Sequence, residues 1–205
     1  MARRARHNVE LLIARLREQG YRFHTNDESR ETVDPWVPSP AGSADALRDW
    51  AKEHLGAVPM TLLAWTQIVG DVWLVGTHPP WPDAWQADPL VIEPSGSRYG
   101  TDLPVSYFED DLALWRDQAE FAEYPGMFVL PLAPDHLRKA NISGGAPYGI
   151  RLPDACADGL FVAEVEMPFV DYLNRVFSHG GFPGHATGPE AWRVRRSLAE
   201  GMLPL

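Results

Sequence analysis

The sequence predicts an α+β fold: a single domain in which an antiparallel β-sheet is flanked by N- and C-terminal helices. Three observations predict it. Apolar residues recur at helical spacing at both ends of the chain, while the middle carries short apolar runs broken by Pro and Gly. The connections between those runs are mostly too short for parallel crossovers, so neighbouring strands must run antiparallel. Finally, 205 residues with 45% hydrophobic and 22% charged side chains suffice for one packed core, and this composition excludes a disordered chain, a collagen-like chain and a coiled-coil rod.

The elements follow in order. Val9, Leu12, Ile13 and Leu16 mark an amphipathic helix closed by Gly20. Residues 24–42, with Pro35, Pro38 and Pro40, form an extended connection that Trp36 pins to the body. Ser43 is the expected N-cap of a second helix, with Asp45 in its first turn and Leu47, Trp50, Ala51, His54 and Leu55 on one face before Gly56. Pro59 opens a third helix carrying Leu62, Leu63, Trp65, Thr66 and Val69, which ends at Gly70. Val72, Leu74 and Val75 form a short strand, residues 77–87 a proline-rich loop, and Leu90, Val91 and Ile92 a second strand. Residues 95–106 are turn-rich. Asp110 or Asp111 then opens a helix with Leu112, Leu114, Trp115, Ala119 and Phe121 that ends before Pro125. Residues 127–132 read as a strand, 140–149 as a hairpin loop turning at Gly144-Gly145, Tyr148, Ile150 and Leu152 as a half-buried strand, and 160–165 as another strand. From Pro168 a helix buries Phe169, Tyr172, Leu173, Val176 and Phe177. A last helix from Pro189 carries Trp192, Val194 and Leu198, with Arg193, Arg195 and Arg196 on its wet side. The organisation is an N-terminal helix and connection over 1–42, an α+β body over 43–184 and a C-terminal helix over 185–205.

The formal net charge of −10 argues against nucleic acid and anionic membrane as partners. The charge is uneven. Arg3, Arg4, Arg6, Arg15, Arg17 and Arg22 crowd the first helix, whereas Asp102, Glu109, Asp110, Asp111, Asp117, Glu120, Glu123 and Asp135 face Arg116 alone in the middle. Such an acidic stretch is either a solvated helix face or a surface for a basic partner. A single cysteine, Cys156, excludes an internal disulfide framework and fits a reducing compartment. No apolar run is long enough to span a membrane, and no signal-peptide core follows the basic start, so a cytoplasmic protein is expected.

Catalytic motifs are missing from the spacing. Ser143-Gly144-Gly145 lacks the strand–turn–helix context of a nucleophile elbow, and with Lys139 before it and Pro147 after it makes no phosphate loop. Cys156 sits between alanines as a small packing residue would. His78 with Asp83, and His179 with His185, are the nearest approaches to metal-ligand pairs, and neither has helical ligand spacing. No metal or cofactor is therefore expected. Trp81 and Trp85, in the proline-rich loop, either anchor a partner or fold back over the sheet edge.

Taken together, several segments look familiar. The stretch Val58-Pro59-Met60-Thr61-Leu62-Leu63-Ala64-Trp65, running on through Val69-Gly70-Asp71-Val72, resembles the opening of the SUKH superfamily, domains related to a fungal cell-wall-synthesis regulator and common in bacteria as immunity proteins. Asp88-Pro89-Leu90-Val91-Ile92 is similar to the next strand of that family. Phe128-Val129-Leu130, Ser143-Gly144-Gly145 and Tyr148-Gly149-Ile150-Arg151-Leu152 resemble its later hairpin, and Phe169-Val170-Asp171-Tyr172-Leu173 its closing helix. The likeness covers about residues 43–184. The arginine-rich first helix and the helix near 110–123 depart from the pattern. The resemblance implies a non-catalytic α+β domain that binds another protein, often a toxin, and brings no catalytic residues with it. An immunity-type protein that neutralises a basic toxin such as a nuclease would bind it through Glu109, Asp110, Asp111, Asp117 and Glu120, with Trp81 and Trp85 as anchors. The alternatives are a small cytoplasmic enzyme with an unrecognised carboxylate/His site, or a regulatory adaptor.

Overall fold

A computed structural model describes residues 1–95, 106–121 and 126–205, with the side chains of Ser106, Tyr107, Glu120 and Phe121 undescribed. The turns expected over 95–106 and the helix end expected before Pro125 lie outside these residues.

Helix α1 (Ala2–Glu18) buries Ala5, Val9, Leu12, Ile13 and Leu16, the stripe its periodicity demands. It packs on α3 (Met60–Ile68) and α7 (Pro189–Ala199), so the first helix belongs to the one core rather than to an appendage. Gly42, at φ +88, is the N-cap of α2 (Ser43–His54). Ser43 is instead the first helical residue, because its hydroxyl is already spent on the Pro40 carbonyl at 2.8 Å. Trp65, fully buried, donates its indole N–H to the Gly70 carbonyl and closes α3 onto its own exit.

The described sheets are antiparallel throughout. β1 (Arg22–Phe23) pairs with β4 (Gly76–Thr77); β2 (Trp36–Val37), β3 (Asp71–Trp73) and β5 (Val91–Ile92) form a second ladder; β6 (Phe128–Ala133), β7 (Tyr148–Leu152), β8 (Leu160–Val162) and β9 (Met167–Pro168) form a third in sequence order. The last two ladders meet where the Glu93 N–H donates to the Leu132 carbonyl at 2.8 Å. Trp36 pins its connection as the sequence suggests, donating to the Val69 carbonyl at 2.7 Å. Helix α4 (Ser106–Phe121) begins ahead of the acids expected to open it. A four-residue helix, α5 (His136–Lys139), interrupts the β6–β7 connection and was not expected; Asp135 caps it by accepting from the Arg138 N–H at 2.7 Å. Gly144, in the turn after it, has no room for a side chain, because the Asp135 carboxylate fills the space where a Cβ would stand.

Helix α6 (Phe169–Ser178) buries Phe169, Tyr172, Leu173, Val176 and Phe177 as its spacing requires. The C-terminal helix is turned about its axis relative to expectation. Ala191, Val194, Arg195 and Leu198, at i, i+3, i+4 and i+7, face inward, while Trp192 is 61% exposed. Arg195 is therefore buried and not on the wet side; the Gly184 carbonyl accepts from its Nη1 at 3.1 Å. Gly180, at φ +63, allows this approach: a Cβ there would come within 2.7 Å of the Arg195 carbonyl oxygen.

Two predictions follow from the packing. Leu173→Ala removes a fully buried side chain and should cost about 2–5 kcal/mol in chemical denaturation; a near-zero loss would take α6 out of the core. The second concerns His24, whose Nδ1–H donates to the Thr25 carbonyl at 2.6 Å, leaving Nε2 to accept from the Thr77 hydroxyl at 2.8 Å. Burial, against the opposing pull of the Thr25 carbonyl and with help from Arg30 and Arg22, holds this imidazole below its ordinary 6.5. Burial does the same to His78. The unfolded chain thus takes up protons before the folded one, so stability is full above pH 6.5 and falls as pH drops through that value. The urea midpoint should be level above about pH 7 and decline below it; a midpoint level down to about pH 5.5 would contradict this.

Candidate functional site

Helix α4 sets its apolar side inward through Phe108, Leu112, Trp115 and Ala119, spaced at i, i+4, i+7 and i+11. Phe108 meets Trp50 at 5.9 Å between ring centroids, and Trp115 meets Phe128 at 5.8 Å. The rest of the helix is left to solvent. Glu109, Asp110 and Asp117 are exposed there, joined by Leu114, which is 56% exposed rather than packed. The Glu120 side chain lies outside the described residues. Asp111 is half-buried. Burial first, and then the neighbouring Asp110 carboxylate, push its carboxyl above the usual range. It opens onto a groove of about 310 Å³ shared with Pro131, Pro134, Asp135, Arg138 and Pro147. The Asp135 carboxylate is committed to the backbone, accepting from the Arg138 and Gly145 N–H groups. The structure thus brings Glu109, Asp110, Asp111 and Asp117 onto one helix beside a groove.

The tryptophan loop is not part of that surface in the same way. Trp81 is buried, its ring 5.3 Å from Phe182, so the loop folds back over the body and this residue is not open to a partner. The cause is local: the Trp81 N–H donates to the His78 carbonyl and a 3₁₀ turn over Ala84–Gln86 closes the loop. Trp85 is half-buried under the Arg30 guanidinium, 4.1 Å from its ring centroid, and its indole N–H has no partner.

The titratable cluster that the spacing did not reveal lies in the interior. Lys139, at the end of α5, has no solvent exposure, and its Nζ sits 2.7 Å from Asp88 Oδ1. The ammonium also stands 4.8 Å from the centre of the Tyr148 ring. Asp88 adopts φ +52, a conformation Asp tolerates better than most residues, and this turns its carboxylate inward just ahead of β5. Tyr148 hydroxyl and His136 Nδ1 are 3.3 Å apart, and that nitrogen is 3.2 Å from Glu164 Oε1. Burial raises the Tyr148 and Tyr172 phenols well above their ordinary 10.0. The void beside Asp88 and Tyr172 measures about 20 Å³, room for one water and no substrate. The Lys139–Asp88 contact is a buried ion pair closed around a space the size of one water.

The remaining candidates stand apart. His78 is buried and its Nε2–H donates to Gln19 Oε1 at 3.0 Å, whereas Asp83 is exposed. His179 Nδ1–H donates to the Arg175 carbonyl at 2.8 Å, and His185 is exposed. Among the described residues, no three His, Cys, Asp or Glu side chains gather as metal ligands. Cys156 is exposed rather than packed, and Asp154 beside it holds the thiol above its ordinary 9.0. No described helix is long and apolar enough to cross a membrane. No protein family, curated protein or solved structure matches the chain.

The buried pair can be tested directly. Lys139→Met should cost about 3–5 kcal/mol by leaving the Asp88 carboxylate unpaired, and Asp88→Asn should cost a similar amount. The double variant should lose clearly less than the sum of the two, since neither charge is then stranded. Additive losses in urea denaturation would show that the two charges do not support each other.

Proposed function

We propose that the chain is a non-catalytic protein-binding domain of SUKH type, acting in the cytoplasm as an immunity-type protein that neutralises a basic toxin such as a nuclease. The observation that carries this reading is the solvent face of α4, where Asp110 and Asp117, at i−4 and i+3, flank the exposed Leu114 and Glu109 is also left in water, while the opposite side of the helix is packed. A row of carboxylates around one apolar side chain offers a basic protein both steering and a dry contact. Asp111 adds to it: its carboxyl is held above the usual range by burial and by Asp110, so an arriving Lys or Arg would relieve a repulsion already present. The net charge of −10 favours fast encounter with a cationic surface and disfavours nucleic acid itself.

The experiment is a search of the genes flanking this one for a toxin domain, co-expression of the chain with that domain, and measured association of the two purified proteins; flanking genes that encode no toxin would count against the immunity reading. The chain should restore growth. Changing Glu109, Asp110 and Asp117 together to Lys should slow association at least about tenfold near 50 mM salt, and the deficit should shrink at high salt as screening shortens to a few ångströms. Far-UV circular dichroism should be unchanged, since exposed substitutions shift stability by about 0.5 kcal/mol or less each. An association rate unaltered by the triple reversal would assign the stripe to solubility alone, and no protection would remove the immunity reading.

A further inference from the structure

An opening of about 580 Å³ lies between α6 and α7, and no α4 residue lines it. That is within the range of small-molecule sites. Its walls combine features that the core does not explain. Trp192, Arg195, Arg196 and Ala199, at i, i+3, i+4 and i+7 of α7, form one wall, and Ser178 and His179 at the end of α6 face them.

Arg195 is the anomaly. It is only 5% exposed, yet among the described residues it has no carboxylate partner. Nη1 reaches the Gly184 carbonyl, but Nε is buried with no hydrogen-bond acceptor. A guanidinium cannot discharge itself by losing its proton, so burial leaves an uncompensated cation with an unspent donor. Arg196 beside it is exposed and likewise in no described ion pair, whereas Arg193 is taken by Glu190 at 2.8 Å. Glu200 is the one acid on the cleft wall. In a chain carrying −10 overall, two unpaired arginines at one cleft are a local reversal of sign.

Trp192 supplies the second half of the argument. The Arg195 guanidinium stands 5.4 Å from the centre of the indole, fixing it from one side, and the residue is otherwise 61% exposed. An indole left to water at a cleft mouth is a stacking surface for a planar ring, and a cation-lined wall beside it is a seat for an oxyanion. Ser178 and His179 are partly self-satisfied: the serine hydroxyl donates to the Arg175 carbonyl at 2.8 Å, as does the His179 Nδ1–H. The arginines therefore carry the recognition of charge.

We propose that the α6–α7 cleft binds a nucleoside monophosphate, with the base stacked on Trp192 and the phosphate held by Arg195 and Arg196. The site is independent of the α4 face, so one can fail without the other.

Isothermal titration calorimetry on the intact chain tests it, with AMP, GMP and UMP as probes and with adenosine and inorganic phosphate as separate arms. At least one nucleotide should bind at one site, and adenosine and phosphate should each bind at least about tenfold more weakly. Trp192→Ala should weaken the nucleotide about tenfold and leave phosphate unaffected, because stacking on an aromatic side chain is lost while the cations remain. Arg196→Gln should weaken nucleotide and phosphate alike. Both residues are exposed, so neither change should disturb the fold, which circular dichroism verifies. No binding of any nucleotide up to about 5 mM would overturn the proposal. So would binding that both substitutions leave intact, or phosphate binding as tightly as the nucleotides.

Discussion

An ammonium group with no exposure to water is tolerated only when something nearby cancels its charge, and in this protein that condition governs how two distant parts of the chain meet. Lys139 ends a four-residue helix inside the β6–β7 connection, and Asp88 stands 51 residues earlier, just ahead of β5. Their pairing joins the ladder of β2, β3 and β5 to that of β6 to β9 at a point close to the Glu93–Leu132 hydrogen bond. The positive φ of Asp88 is one consequence, since a carboxylate directed outward would strand the lysine. The placement of Tyr148 against the ammonium is another.

The same accounting of polar groups separates the two faces that remain open. On α4 the acids are left in water because Phe108, Leu112 and Trp115 already fill the inward side, so the carboxylates are free to act at a distance. On α7 the reverse holds: the helix rotates to bury Val194 and Leu198, and Arg195 goes in with them for want of a smaller residue at that turn. A surface of charge and a cleft of charge thus arise from one rule, that apolar periodicity sets the helix rotation and polar residues take whatever environment results.

Much of the architecture could be read from the residues. The stripes of α1 and α6, the breaks at Gly20, Gly56 and Gly70, and the alternation of Tyr148, Ile150 and Leu152 are local signals, and local signals survive folding. What escaped had its cause elsewhere in the chain. Helix α5 is too short to show a period, and it is held by the Asp135 cap and by the Lys139–Asp88 pair. Whether Trp81 anchors a partner or folds back could not be read from the residues, because nothing near it in sequence announces Phe182. Arg195 looked wet because an arginine between Val194 and Arg196 is ordinarily so; its burial is decided by the Gly184 carbonyl and the close approach that Gly180 permits. Of the candidate surface, the acidic stripe was legible as a run of charge, and Leu114 within it was not, because its helix has apolar residues to spare.

The clasp between α1 and the residues after α7 bears on how the protein is made. Asn8 is fully buried, and its side-chain amide both donates to the Leu203 carbonyl and accepts from the Leu203 N–H, each at 2.9 Å. Those partners lie 195 residues downstream. A ribosome moving at about 5–20 residues per second emits Leu203 roughly 10–40 s after Asn8. Throughout that interval the amide has only water or transient company, and the helix bearing it cannot be sealed under the domain. The apolar stripe of Leu12 and Leu16 is exposed to the same wait. The Asn8–Leu203 clasp therefore closes only after synthesis has passed Leu203, and until then the first helix lacks the partners that seal its polar core residue.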